Sequence, residues 1–330
     1  MLFIFSDSNS KIRAKDSGEE RRTRNGERKF PASDLRDCKN NGKRMHKMKT
    51  IGFIDLYISE WHAEHYPQWI KEACDELGYE YEVKYGWAEQ YVSPTTGENT
   101  DDWCARFGVE RCSTIEELCE KCDFIMILAP SAPGKHLKYA RIALTYGKPT
   151  YIDKPFSDSV ENAKAIFALS EKNNAPFFSS SALRYATELD KLDNCKAVST
   201  VGGGRALEEY LIHQIEMIVK KLGLGAKAIK GQRITDTQYA FVIKYDDDRR
   251  GAMHYVKANR RFEVTLSRGD GENAVVEQIQ SDGFPGLIRD ILTFFETGRI
   301  SFDVAETMEV NKIMIAAFKA KQIPDTWIEV

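Results

Sequence analysis

The residues best placed to do chemistry fall in the run Gly147-Lys148-Pro149-Thr150-Tyr151-Ile152-Asp153-Lys154-Pro155. Thr150-Tyr151-Ile152 reads as a short strand, so Lys154 stands just past its C-terminal end. In open α/β sheets that edge is where ligands bind. A lysine there can give a proton or hold a hydroxyl close to a cofactor. His62 and His65 form a second group, at i, i+3 near a helix start and beside Trp61 and Tyr66. Such a pair can share a metal or an anion, or sit on a solvated turn. Cys119-Glu120-Lys121-Cys122 has CxxC spacing, with Cys104 and Cys112 upstream. Structural zinc usually takes two well-spaced pairs. Only one pair is present, at a predicted helix end, so these thiols read as packing residues and no metal site is expected. Val201-Gly202-Gly203-Gly204-Arg205 reads as a flexible loop; it does not follow the first strand and is not a phosphate loop.

The elements that must position these groups alternate from Thr50 onward. Apolar strands are expected at Thr50–Leu56, Tyr79–Tyr85, Phe124–Ala129, Thr150–Ile152 and Phe177–Ser179, with helices at Trp61–Leu77, near Ile115–Lys121, and at His136–Tyr146. Ser113 with Glu116 has the form of a capping box, and Asp158 with Glu161 caps a further helix. Strand–helix repetition of this kind builds a doubly wound parallel sheet. After about residue 186 the rhythm changes. A helix around Glu209–Leu222 is followed by strands at Tyr239–Tyr245, Gly251–Val256 and Phe262–Leu266, then helices near Gly286–Thr297 and Asp303–Lys321. The expected fold is therefore a Rossmann-type α/β domain over 48–186, followed by an α+β domain over 187–330 with a mainly antiparallel open sheet.

The order of these pieces resembles the glucose–fructose oxidoreductase/inositol dehydrogenase (Gfo/Idh/MocA) family. The Asp153-Lys154-Pro155 run looks like the family's Glu-Lys-Pro, and Ala129-Pro130-Ser131, with His136 beyond, looks like its loop over the nicotinamide. Arg106-Phe107-Gly108-Val109 and Ser181-Ala182-Leu183-Arg184-Tyr185 resemble two further family segments. The resemblance runs from about Met48 to the C-terminus. It implies hydride transfer between NAD or NADP and a carbinol carbon of a sugar, inositol or related polyol, with the hydroxyl proton removed in step by a tuned Lys or His. It makes Lys154 and His213 the catalytic pair and Glu209, four residues before His213 on one helix face, the orienting group. It places Ala129, Pro130, Ser131, His136, Asp153, Lys154, Pro155 and Arg184 around the cofactor. It also implies a homo-oligomer formed through the open sheet.

One stretch departs from that pattern. A dinucleotide fold uses GxGxxG after its first strand, so that backbone amides can approach the pyrophosphate. Here Asp55, Tyr57 and Glu60 fall at the fingerprint positions, in Gly52-Phe53-Ile54-Asp55-Leu56-Tyr57-Ile58-Ser59-Glu60. A like-charge contact at ~4 Å and an effective dielectric of about 20 costs on the order of 4 kcal/mol. No acid to hold the adenosine ribose is evident in Lys84-Tyr85-Gly86-Trp87. Two readings stand: a polyol oxidoreductase using Asp55 and Tyr57 at the cofactor, or a catalytically degenerate ligand-binding or regulatory module without dinucleotide.

Composition bounds the rest. The chain has 330 residues, 42% apolar and 29% charged, a balance suited to two domains with real cores. No apolar run approaches the ~18–20 residues that span a bilayer. Net charge is −3, which argues against a nucleic-acid partner. Residues 1–47 hold 13 Lys+Arg against 7 Asp+Glu, and the remainder 34 against 43. That basic, aperiodic stretch reads as a disordered extension, and Met48, directly before the first strand, as an alternative start. Seven cysteines without a secretion signal fit reduced thiols in a cytoplasm.

Overall fold

The computed structural model describes residues 48–330; the basic stretch 1–47 and the expectations about it lie outside the described residues. The first half alternates β1 (Lys49–Asp55), α1 (Trp61–Leu77), β2 (Tyr81–Ala88), α2 (Thr100–Phe107), β3 (Glu110–Arg111), α3 (Ile115–Lys121), β4 (Phe124–Ile127), α4 (His136–Ala143), β5 (Thr150–Ile152), α5 (Val160–Asn173) and β6 (Phe177–Phe178). The six strands pair in parallel in the order β3-β2-β1-β4-β5-β6. This is the doubly wound Rossmann-type sheet. Ile51 and Phe53 of β1 join one apolar cluster and Ile54 the other, because the strand is covered on both faces. β1 and β4 lie side by side, so their C-terminal loops share one edge.

Two helix starts differ from expectation by one residue. Thr114 caps α3 by accepting from Glu117 N, and Glu117 reaches back to Ser113 N. Ser159, not Asp158, caps α5. In each case two adjacent residues have side chains able to cap, and the backbone turn selects the second.

The second half contains β7 (Ala197–Gly202), α6 (Leu207–Leu222), β8 (Ala226–Thr235), β9 (Gln238–Tyr245), β10 (Arg250–Val256), β11 (Glu263–Ser267), β12 (Ala274–Gln278), α7 (Phe284–Thr297), α8 (Ala305–Gln322) and β13 (Trp327–Glu329). The sheet order is β12-β11-β7-β10-β9-β8-β13, and only β7 and β10 pair in parallel. α6 and α8 cover one face, with Ile215, Ile218, Ile313 and Ala317 against Phe241, Ile243 and Met253. α7 turns back to the first sheet, where Ile288, Ile291 and Phe294 pack with Phe53 and Phe178.

The Gly202–Gly204 stretch is no flexible loop. Gly202 ends β7, and a Cβ on Gly203 would lie 1.9 Å from Val256 O. A Cβ on Gly204 would lie 2.2 Å from the Tyr210 ring. These glycines let β10 and α6 close onto one chain crossing.

Candidate active site

Lys154 follows β5 at the C-terminal edge of the first sheet, half-buried, with a cis bond to Pro155. Among the described residues its ammonium makes no ion pair, and its charge is felt by Asp153 and His213. Asp153 is fully buried. His62 Nδ1 meets its Oδ2, and the Tyr151 hydroxyl donates to its Oδ1 at 3.0 Å. Burial works against the Asp153 charge, but His62 and Lys154 outweigh it and hold the carboxyl below its ordinary range. With Asp153 ionised, His62 Nδ1 is the donor. The His62 ring stacks on Tyr66 with centroids 5.2 Å apart. His62 thus belongs to the Lys154 cluster, and among the described residues no group of three His, Cys, Asp or Glu is arranged to hold a metal.

His213 reaches this cluster from α6. Its Nδ1 lies 2.6 Å from Ser181 Oγ, and Tyr210 and Phe262 set ring edges against it, each with centroids 5.7 Å away. Burial, then the Lys154 charge, push the imidazole down to about 3, so it is neutral near pH 7. Such a histidine binds fewer protons folded than unfolded between about pH 3 and its ordinary 6.5. Its contribution to stability is complete above 6.5 and is lost as pH falls through that window. The melting temperature of the natural chain is therefore expected to drop relative to His213→Gln as pH is lowered from 7 to 4. A gap independent of pH would contradict a neutral His213.

Three expected site residues face elsewhere. Glu209 does not orient His213: its carboxylate takes Arg205 Nε at 2.5 Å, and Ser181 holds the imidazole instead. Arg184 does not approach a cofactor. It is buried, donates to Glu216 at 3.1 Å and to Glu306, and lies 3.8 Å over the Phe302 ring, so it joins α6 and α8 to the Ser181 turn. His136 is fully buried between Phe156 O at 2.9 Å and Leu128 O at 2.7 Å, where it ties the β4 and β5 loops together. The cysteines of the CxxC are core: burial pushes both Cys119 and Cys122 up to about 12. Lys148 of the Gly-Lys-Pro run donates to the carbonyls of both.

The turn between β1 and α1 is tied down by its own carboxyls. Asp55 is buried, and its Oδ1 accepts Leu56 N at 2.6 Å and Ala129 N at 3.1 Å. Glu60 caps α1, its Oε1 accepting His62 N and Ala63 N at 3.0 Å each. Burial first, and the neighbouring Glu60 charge second, push the Asp55 carboxyl well up. Its Oδ2 is buried with no partner. The recess that these groups line with Tyr57, Pro130 and Ser131 has a volume of about 10 Å³, room for roughly one water. Across its mouth, Arg205 Nη2 donates to Ser131 Oγ at 3.3 Å. A larger cavity of about 520 Å³ lies away from these groups, between α5 and the start of α8.

Residues 87–181 match the model of an oxidoreductase family with an NAD-binding Rossmann fold, GFO_IDH_MocA. That match covers the later part of the Rossmann-type domain, from the end of β2 to the Ser181 turn. The match begins after β1 and α1. The fold is similar to that of GenD2 from gentamicin A biosynthesis, solved in complex with NAD: TM-score 0.70, 13% identity, 88% of this chain and 99% of that one. It is also similar to a probable dehydrogenase from Thermotoga maritima, with TM-score 0.69, 10% identity, and 85% and 98% of the two chains covered. An apo scyllo-inositol dehydrogenase from Lactobacillus casei gives TM-score 0.67, 13% identity, and 86% and 98%. Among curated proteins none matches this chain.

The Gfo/Idh/MocA family implies a dinucleotide, and the residues after β1 do not fit its pyrophosphate. The amides of Leu56 and Ala129, past the ends of β1 and β4, and of His62 and Ala63, in the first turn of α1, already donate to Asp55 and Glu60. At the ribose position β2 runs three residues further than expected, to Ala88, and so ends at an acid, Glu89. That carboxylate is taken by Lys135 at 2.7 Å, Lys138 at 2.9 Å and the Tyr139 hydroxyl at 2.9 Å, with Lys135 foremost in holding it down to about 2. Sequence reasoning placed Lys154 and His213 together, as the structure does. It missed Ser181 and the His62–Asp153 contact, whose partners are 32 and 91 residues apart.

Proposed function

We propose that this Gfo/Idh/MocA member binds a polyol or sugar-like small molecule beside Lys154 and His213. The carrying observation is the pairing of a neutral, partly buried histidine with an ammonium free of ion pairs among the described residues. In the tautomer with the proton on Nδ1, His213 donates to Ser181 Oγ and its Nε2 lone pair is left for a ligand hydroxyl. Lys154 holds the same oxygen and stabilises the negative charge that grows as the proton leaves. Asp153, fixed by His62 and Tyr151, sets its carboxylate beside the Lys154 charge. The amides that a pyrophosphate would need are already taken by Asp55 and Glu60. The reading favoured is thus a ligand-binding module of an oxidoreductase family that works without dinucleotide. A second reading, NAD(P)-dependent oxidation of the same hydroxyl, draws on the position of Lys154 and His213 at the sheet edge where open α/β sheets bind their ligands.

Thermal-shift titration of the natural chain with inositols, sugars and sugar acids tests the site. At least one is expected to raise the melting temperature, with affinity about tenfold to a hundredfold weaker in Lys154→Met and His213→Gln, as for loss of one or two buried hydrogen bonds. Equal affinity in both variants would reject the site.

The parts proposed are a Rossmann-type domain over 48–186 and a substrate and self-association domain over 187–330, which lends α7 to the first sheet, in a cytoplasmic protein. The open face of the second sheet carries Val242, Ala252, Ser199, Thr265 and Val276 in one cross-strand row, small and uncharged. A homo-oligomer through this face is expected, and light scattering at micromolar concentration that returns the monomer mass of 37.6 kDa would reject it.

A further inference from the structure

A phosphate-binding turn leaves its amides and its helix N-terminus open for an anion. Here Asp55 lies across the edge between β1 and β4, with one oxygen on an amide from each loop. Glu60 takes the two free amides of the first turn of α1. The four donors that a pyrophosphate would need are satisfied from within the chain, and the remaining recess, about 10 Å³, admits a water rather than a phosphate. Glu89, which could hold a ribose, is bound by two lysines of the segment after β4. Three separate places along a dinucleotide's path are therefore occupied by side chains of the protein.

We propose that Asp55 and Glu60 are built-in replacements for the pyrophosphate oxygens of a dinucleotide. They hold the β1 loop, the β4 loop and the start of α1 in one arrangement with no nucleotide present. An acceptor contributed by the chain is always at hand, so the edge that carries Lys154 is organised without a cofactor. The Asp55 Oδ2 left without a partner is the cost of using a carboxyl where the fold otherwise places a glycine. This inference concerns the β1–α1 turn alone and stands or falls apart from the polyol reading.

Removing the replacements should recreate the phosphate site. The full chain, Glu60→Ser and Asp55→Gly/Glu60→Ser would be titrated with inorganic pyrophosphate, NADH and NADPH by calorimetry and thermal shift. Serine keeps a helix cap, so α1 retains its start. The natural chain is expected to show no saturable heat and no change in melting temperature up to about millimolar ligand. The double variant is expected to melt lower and to bind pyrophosphate and NADH at least about a hundredfold more tightly than the natural chain, in line with freeing the four amides that Asp55 and Glu60 now occupy. If the double variant does not fold, Glu60→Ser alone is expected to gain about tenfold. Micromolar binding by the natural chain, or folded variants that gain no affinity for either ligand, would overturn the proposal.

Discussion

Replacing Arg184 with methionine is expected to destabilise the chain by about 3–5 kcal/mol, the usual cost of breaking a buried ion pair from one side. The guanidinium is almost fully buried and is shared between Glu216 on α6 and Glu306 on α8, with Phe302 beneath it. Methionine fills a similar volume but leaves Glu216 buried without its cation. Burial already pushes Glu216 up to about 7 against the pull of Arg184. In the variant it escapes the penalty by taking a proton. The loss is therefore expected to be larger at pH 8 than at pH 6. At about 2–4 °C per kcal/mol, melting should fall by roughly 10 °C. A fall under 3 °C at both pH values would mean that Arg184 is not the clamp described.

Gly283→Ala is expected to weaken the fold and the site together. Gly283 precedes α7, and a Cβ there would lie 1.9 Å from Ala182 O and 2.7 Å from Ala182 C. Its φ of −79° is open to any residue, so the effect is steric rather than conformational. The obstacle is backbone, which cannot swing aside as a side chain would. Overpacking of this kind typically costs about 1–3 kcal/mol. The displaced turn also carries Ser181, whose hydroxyl holds His213. Stability and affinity for any polyol ligand should thus fall together in melting and titration experiments. A variant that loses stability but binds normally would show that Ser181 does not depend on this contact.

The inner strands of the first sheet were legible because they are covered on both faces, which turns them into apolar runs such as Phe124–Ile127, whereas β3, two exposed residues at the sheet edge, was not. β7, β8, β12 and β13 were not. β12 alternates exposed and half-buried residues without a clear apolar face, and β8 runs into the polar segment Gln232–Thr235. Spacing put Glu209 and His213 on one helix face, but Arg205, four residues before Glu209, claims the carboxylate. The Ser181–Tyr185 segment was recognisable, yet the acids that engage Arg184 are 32 and 122 residues away, beyond any local pattern. Asp55 and Glu60 were legible as obstacles to a pyrophosphate. Their use as acceptors for the amides it would need depends on the turn of the backbone. Glu89 was missed because β2 continues past Tyr85 to Ala88.

This Rossmann-type domain keeps its sheet edge in working order with its own carboxyls in place of a dinucleotide. The most direct measurement is a titration of the natural protein with NADH and NADPH, followed by nicotinamide fluorescence and by heat. No saturable signal up to about millimolar nucleotide, from protein shown to be folded, is the predicted result. Saturation at micromolar nucleotide, weakened by substitution of Lys154, would show instead that the β1–α1 turn admits a dinucleotide and would favour NAD(P)-dependent oxidation at this edge.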